Sequence, residues 1–197
     1  MEATQTSENA RLRDMLAVSP YNQLALQPLP HKDRIQIFDT TLRDGEQAPG
    51  IALSSDDKVR IAMALDDLGV DIMEAGFAVS SETERETLKK IVDAGTRCTV
   101  CSLSRSVKGD VDAVMQTGVD YVHTFIATSD LHMKYKLKMT PDQVVEKAVS
   151  TIEYARDHGL RVMFSCEDAT RTDLEFMKRI CLAAQDAGAE AINLPDT

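Results

Sequence analysis

The sequence predicts an α/β protein in which strand and helix patterns alternate around a parallel sheet. Glycines recur along the chain, and each follows a helical pattern and precedes an apolar run: Gly69, Gly95, Gly118, Gly159 and Gly188. A glycine just past a helix readily takes the left-handed conformation that satisfies the last helical carbonyls. The alternation repeats at intervals of about thirty residues, which is typical of βα units with parallel strands.

Six apolar runs are predicted to form the strands, at residues 35–39, 70–75, 97–102, 119–126, 160–165 and 190–194. Five helices lie between them, and their starts carry capping signals. These signals are Ser54, Ser81 with Glu84, Thr140 with Gln143, and Thr172 with Glu175. Six strands suit a doubly wound sheet, whereas a closed (β/α)8 barrel needs eight.

The first thirty residues are predicted to be an extension in front of a domain spanning residues 31–197. A short amphipathic helix fits residues 8–18, and Pro20, Pro28 and Pro30 then interrupt any regular structure. No chemistry can be assigned to this extension from its residues.

The composition excludes several classes of function. The chain has 197 residues, with 32 acidic and 22 basic side chains and a net charge of −10. An acidic surface of this kind argues against nucleic acid as a partner. No apolar run approaches the length of a membrane span, and the polar N-terminus lacks the pattern of a signal peptide. We therefore expect a cytoplasmic protein without a membrane partner.

The four cysteines include one C-x-x-C pair, Cys98 and Cys101. This spacing occurs in zinc and redox sites, but a thioredoxin-type motif needs a helix start there. Here the pair lies in a predicted strand, where positions i and i+3 face opposite sides. Buried free thiols are the simpler expectation for all four cysteines.

The segment from Asp39 to Gln47, DTTLRDGEQ, carries the strongest chemical signal in the chain. It follows the first predicted strand, at the carboxyl end where α/β proteins place their sites. Carboxylates there suit a hard divalent cation, and Arg43 suits a developing oxyanion. A solvated charged loop is the alternative that the residues alone leave open.

Polar residues also end the later strands, and parallel strands would bring them to one edge. They are Glu74, His123, Ser165, Glu167, Asp168, Asn193 and Thr197. Each has a structural alternative: His123 as a core histidine, Glu74 as an ion-pair partner of Arg43 or Arg105. Glu167 and Asp168 could instead be an acidic pair at a helix N-terminus, and Thr197 a helix cap.

The DTTLRDGEQ run resembles the signature of the isopropylmalate/homocitrate/citramalate synthase and HMG-CoA lyase superfamily of metal-dependent TIM barrels. The resemblance covers about residues 34–197 and implies a partial (β/α)8 TIM barrel with about six strands and five helices. It implies that Asp44 is a metal ligand and that Arg43 stabilises the alkoxide formed from a 2-oxo acid. It further implies that Glu167 and Thr197 bind and orient that acid.

The superfamily also uses a His-x-His metal-binding pair, and no such pair occurs among the four histidines of this chain. We therefore expect a fragment of a longer enzyme that is inactive alone and a homodimer when intact. The implied cofactor is a divalent cation (Mg, Mn or Zn), and the implied co-substrate is acetyl-CoA.

The implied reaction is the Claisen-type condensation of acetyl-CoA with a 2-oxo acid. His123, Ser165 and Asn193 match the side-chain pocket of the superfamily's isopropylmalate-forming members. The small Ser165 leaves room for an isopropyl group, which favours 2-oxoisovalerate. Citramalate or homocitrate formation, lyase chemistry and an inactive fragment are the alternatives. The segment 129–139, rich in lysine, is predicted to be a loop that covers the site, meets CoA phosphates or is simply solvated.

Overall fold

The computed structural model describes residues 35–196 of the chain. The predicted N-terminal extension and Thr197 lie outside the described residues. Within them, no helix is both long enough and apolar enough to cross a membrane.

Six parallel strands form a single sheet in the order in which they occur along the chain. They are β1 Phe38–Asp39, β2 Ile72–Glu74, β3 Thr99–Arg105, β4 Tyr121–Ala127, β5 Arg161–Glu167 and β6 Ala191–Asn193. A doubly wound sheet reverses its strand order at a switch point, and this sheet does not. The sequential order is that of a partial (β/α)8 barrel, as the sequence predicted.

Helices follow the strands and cover one face of the sheet. Their bounds are α1 Ser55–Leu68, α2 Glu82–Asp93, α3 Lys108–Met115, α4 Asp130–His132, α5 Pro141–Asp157 and α6 Leu174–Asp186. The five longer helices are the five that were predicted. Single turns of 3-10 helix lie at Gly45–Gln47 and Ala169–Arg171, and a π-helical turn at Met133–Leu137 follows α4.

The segment 129–139 is therefore mostly helical, and the prediction of a loop was wrong. Ser129 begins the helical part, because its hydroxyl accepts the backbone N–H of His132. Lys138 ends it with a left-handed backbone, at φ 56°. The three lysines of this segment are exposed, as their charge suggested, but the capping serine was the local signal for a helix.

Most of the predicted helix starts are confirmed. Ser54 and Ser81 cap α1 and α2, and Thr140 forms a complete capping box with Gln143. The last prediction was wrong by one residue, since Asp173 caps α6 by accepting the backbone N–H of Phe176. The five predicted glycines all have a positive φ.

The sheet separates two apolar clusters. The larger lies between the sheet and the helices. The smaller lies on the inner face and contains Ile72, Cys101, Tyr121 and Met163. Side chains two positions further along a strand point to the same face, so β4 and β5 place a polar layer of His123 and Ser165 beyond this apolar one.

All four cysteines are free thiols, and Cys181 alone is only half-buried. Cys98 packs in the larger cluster and Cys101 in the smaller, so the two side chains face opposite sides of the sheet. Burial raises the pKa of the Cys101 thiol well above its ordinary value. A C-x-x-C zinc or redox site needs two reactive thiols side by side. Here the Cys101 thiol is buried and protonated, and Cys98 lies on the other side of the sheet, so the pair does not form such a site.

Candidate functional site

A cavity of about 460 Å³ opens at the carboxyl end of the strands. Six of the seven residues to which the family resemblance gives roles line it, namely Arg43, Asp44, His123, Ser165, Glu167 and Asn193. The seventh, Thr197, lies outside the described residues. These six come from elements far apart in the chain, and the parallel sheet brings their strand ends to one edge.

The turn after β1 projects Arg43 and Asp44 into this cavity. The Asp39 carboxylate accepts the backbone N–H of Thr41 at 2.9 Å and its hydroxyl at 3.1 Å. The carbonyl of Thr40 then accepts the backbone N–H groups of Arg43, Asp44 and the next glycine, at 2.8–3.1 Å. This tight turn explains why the motif is rich in Asp, Thr and Gly, which satisfy a turn locally.

Arg43 begins a chain of hydrogen bonds across the barrel interior. Its Nε donates to Glu74 Oε2 at 2.5 Å, and its Nη1 pairs with Asp44 at 2.7 Å. The other Glu74 oxygen lies 2.6 Å from Nδ1 of His123. Nε2 of His123 lies 2.6 Å from the hydroxyl of Ser165, which accepts the side-chain amide of Asn193 at 2.7 Å.

One arrangement of protons satisfies this whole chain. Nδ1–H of His123 donates to the Glu74 carboxylate, while Nε2 accepts the Ser165 hydroxyl proton. The Ser165 oxygen can then accept from Asn193, as its lone pairs allow. Glu74 is fully buried, and His123 is 3% exposed. A fully connected buried network of this kind holds its members in fixed positions.

Glu74 was predicted either to act at the site or to pair with Arg43 or Arg105. The structure pairs it with Arg43 and His123. Arg105 instead pairs with Asp110 at 2.7 Å, outside the cavity lining. Glu74 thus links the turn after β1 to β4, which no local pattern in the sequence indicated.

Glu167 stands at the end of β5 and lines the same cavity as Arg43 and Asp44. Its carboxylate pairs with Nζ of Lys136 at 2.5 Å, and its carbonyl accepts the backbone N–H of Thr128. Lys136 comes from the π-helical turn, so the lysine-rich segment reaches the cavity. Two of the three alternatives raised from sequence, covering the site and meeting CoA phosphates, placed this segment at the site.

Asp168 follows Glu167 and also lines the cavity. It does not begin a long helix, contrary to the alternative raised from sequence, but precedes the 3-10 turn Ala169–Arg171 with φ 65°. The Ser129 hydroxyl and the Arg171 guanidinium hold the pKa of its carboxyl below the ordinary value. Asp168 therefore stays ionised beside Glu167 at neutral pH.

The sequence analysis missed the apolar part of the lining, which consists of Phe38, Phe77, Leu103 and Phe125. The Phe38 ring meets the His123 ring edge to face, with centroids 5.6 Å apart. Phe125 was detectable, because it shares strand parity with His123. Phe77 was not, because it lies in a loop whose path only the fold determines.

Asp44 is a candidate ligand for a divalent cation. Its side chain is 61% exposed at the cavity, and a carboxylate oxygen suits Mg²⁺, Mn²⁺ and Zn²⁺ alike. No three His, Cys, Asp or Glu side chains within residues 35–196 are grouped to hold a metal ion. Asp44 therefore fits such a cation as one ligand.

Comparisons with known proteins agree with this geometry. A profile of the HMGL-like family matches residues 34–197. The chain is 53% identical over 173 residues to the 2-isopropylmalate synthase of Methanocaldococcus jannaschii, covering 88% of this chain and 33% of that protein. It is 49% identical over 180 residues to the homocitrate synthase AksA of Methanothermobacter thermautotrophicus, covering 91% of this chain and 46% of that protein.

The fold is similar to that of a solved lyase. The crystal structure of the Bacillus subtilis HMG-CoA lyase superposes with a TM-score of 0.71 at 17% identity, covering 86% of this chain and 60% of that one. At this identity the likeness concerns the fold alone. The chain spans between a third and a half of the length of the two curated relatives named above.

Proposed function

Since this chain belongs to the HMGL-like family, we propose that its protein is a 2-isopropylmalate synthase, an acyltransferase of leucine biosynthesis. It condenses acetyl-CoA with 2-oxoisovalerate (3-methyl-2-oxobutanoate), and water then hydrolyses the thioester to give 2-isopropylmalate and CoA. The observation that carries this proposal is the connected network from Arg43 to Asn193, which lines a partly apolar cavity. The 53% identity to a 2-isopropylmalate synthase supports the same reaction.

Arg43 and Glu167 are the residues to which we assign catalytic roles. The Arg43 guanidinium, held by Glu74, faces the cavity and stabilises the alkoxide that forms on the keto oxygen. Glu167, at the end of β5 in the same cavity, orients the 2-oxo acid. Its pairing with Lys136 at 2.5 Å keeps that carboxylate in place. We propose that Thr197 binds the acid's own carboxylate.

Asp44 holds the divalent cation in this proposal. Such a cation, when bound, polarises the carbonyl of the 2-oxo acid. Asp44 is the sole carboxylate of the motif that both lines the cavity and reaches solvent, so the remaining ligands come from substrate, water or residues outside 35–196. With one described protein ligand, residues 1–197 alone should turn over slowly.

His123, Ser165 and Asn193 form the substrate side-chain pocket together with the apolar lining. The Ser165 hydroxyl is small and already engaged by two neighbours. It therefore leaves the volume beside Phe125 to an isopropyl group. One or two methyl groups change discrimination by only ~1–3 kcal/mol, so we expect a preference for 2-oxoisovalerate rather than absolute specificity.

The substrate assignment is tested with the full-length gene product and acetyl-CoA. CoA release is measured with 2-oxoisovalerate, pyruvate and 2-oxoglutarate in turn. We expect 2-oxoisovalerate to give the highest kcat/KM. A higher value with 2-oxoglutarate would instead support homocitrate formation, the second candidate, which the 49% identity to AksA favours. Pyruvate as the best acid would indicate citramalate formation.

The metal assignment is tested by Asp44→Ala in the same full-length protein. We expect loss of metal-stimulated turnover and weaker binding of Mn²⁺ by electron paramagnetic resonance. Asp56→Ala is the control, because Asp56 is 90% exposed on α1 and lies outside the cavity lining. Unchanged Mn²⁺ binding in Asp44→Ala would show that Asp44 is not a ligand.

We further propose that the intact protein is a cytoplasmic homodimer. Free, mostly buried cysteines fit a reducing compartment. Analytical ultracentrifugation of the full-length protein would test the dimer.

A further inference from the structure

One lysine is buried between the first two helices, away from the substrate cavity. Lys58 on α1 is 4% exposed. Its Nζ lies 2.5 Å from a carboxylate oxygen of Glu46 and 2.7 Å from one of Glu84. Burying an ammonium group is costly unless it is paired and hydrogen-bonded. Two carboxylates supply that pairing here.

The two carboxylates reach two different loops of the site, Glu46 from within one loop and Glu84 from α2. Glu46 lies in the 3-10 turn Gly45–Gln47, directly after Arg43 and Asp44. That turn has no side-chain cap of its own. Arg43 anchors the residues before it through the buried Glu74, and Glu46 anchors the turn itself through Lys58. Lys58 is therefore the connection between the motif and α1.

Glu84 carries the connection to the second loop. Its other carboxylate oxygen accepts the backbone N–H of Phe77 at 3.2 Å, and Phe77 lines the cavity. The carboxylate also lies against the backbone of Gly76, where an added Cβ would come within 2.1 Å of Glu84 Oε1. A side chain at position 76 would push Glu84 away, so the contact depends on this glycine.

The charge state of the cluster is consistent with a fixed ion pair. Burial alone would lower the pKa of Lys58, but its hydrogen bonds to Glu46 and Glu84 outweigh burial and raise the pKa above the ordinary value. The lysine therefore stays charged throughout the neutral range. An apolar residue of similar volume would avoid the desolvation cost, and it would not hold either carboxylate.

We infer that Lys58 is a positioning residue that fixes the two cavity loops, the one bearing Arg43 and Asp44 and the one bearing Phe77, relative to each other. The inference rests on the proposed function, because it assigns Lys58 a role in presenting the groups that meet the 2-oxo acid. Lys58 itself lies outside the cavity lining.

The activity test compares Lys58→Met with Lys90→Met in the full-length protein. Lys90 pairs with Asp56 at 3.6 Å and is 55% exposed. It therefore joins the same two helices without reaching either loop. Misplaced catalytic groups cost on the order of 10- to 100-fold, and we expect a loss of that size in kcat/KM for 2-oxoisovalerate in Lys58→Met. Lys90→Met should stay within about twofold of wild type.

The double variant separates positioning from general destabilisation. Glu46→Gln should reproduce most of the loss, and Glu46→Gln combined with Lys58→Met should lose little more than Lys58→Met alone, because the two residues act as one contact. Additive losses, or kinetic constants of Lys58→Met within about twofold of wild type, would overturn the inference. If Lys58→Met does not fold, the kinetic constants of Glu46→Gln serve instead, and values within about twofold of wild type would overturn the inference.

A second measurement does not depend on turnover. The backbone N–H groups of Gly45, Gln47 and Ala48 are hydrogen-bonded within the turn, and we expect their hydrogen exchange to accelerate at least tenfold in Lys58→Met and not in Lys90→Met. Unchanged exchange would overturn the inference. If wild type converted no 2-oxo acid, the proposed function would fail, and hydrogen exchange would still decide whether Lys58 fixes the motif.

Discussion

At the scale of single residues, the site depends on one buried carboxylate. Glu74 is fully buried and joins the guanidinium of Arg43 to the imidazole of His123. A buried ion pair is costly to form, but removing one partner leaves the other charge uncompensated. Replacing Glu74 should therefore leave Arg43 without its counter-charge and His123 without its hydrogen-bond acceptor.

We predict that Glu74→Gln lowers the free energy of unfolding by on the order of 3 kcal/mol, because Arg43 would remain part-buried without its full counter-charge. Urea denaturation measures this. Glu190→Gln is the control, since Glu190 pairs with Arg161 at 2.8 Å while both are about half exposed. Its loss should stay below about 1 kcal/mol. Equal losses in the two variants would show that burial at Glu74 does not matter.

At the scale of elements, the two polar residues before α6, Thr172 and Asp173, make different contacts. Asp173 caps α6 through the N–H of Phe176. The Thr172 hydroxyl instead donates to the carbonyl of Asp168 and lies 2.7 Å from the Thr128 hydroxyl. Thr172 thus fastens the segment after Glu167 to the end of β4, and the helix is capped one residue later.

We predict that Asp173→Ala destabilises the protein by about 1 kcal/mol, the usual cost of losing an N-cap. Thermal or urea unfolding measures the loss. Glu175→Ala is the matched control, because the sequence placed Glu175 in a capping box that the structure does not contain. If Glu175→Ala lowered the stability as much as Asp173→Ala, the capping box predicted at Thr172 and Glu175 would be supported instead.

At the scale of the whole molecule, long-range ties hold consecutive βα units together. Asp66, near the end of α1, accepts the backbone N–H groups of Arg97 and Cys98 and the Arg97 guanidinium. These bonds, first of all that from Cys98, lower the pKa of Asp66 from 3.8 to about 2. The carboxylate therefore joins the first helix to the start of β3 while it is ionised.

We predict that this tie stabilises the protein fully above about pH 4 and is lost as the pH falls toward 2. The sign follows because the folded pKa of about 2 lies below the unfolded value of 3.8, so acid favours the unfolded chain. Asp66→Asn should reduce the acid dependence of urea unfolding over this range. Asp67→Asn is the control, because Asp67 is 83% exposed and 3.4 Å from Arg97.

The sequence by itself determined the parallel βα order, the glycine-terminated helices and seven of the residues that line the cavity. These follow from local rules: periodicity, capping, and the placement of polar residues at strand ends. The tertiary structure alone decided that Glu74 pairs with Arg43 rather than Arg105, that Lys136 meets Glu167, and that Phe77 completes the cavity. Those contacts join residues 31 or more positions apart, or depend on the path of a loop. Their geometry is set by sheet register and helix packing, which no local pattern encodes.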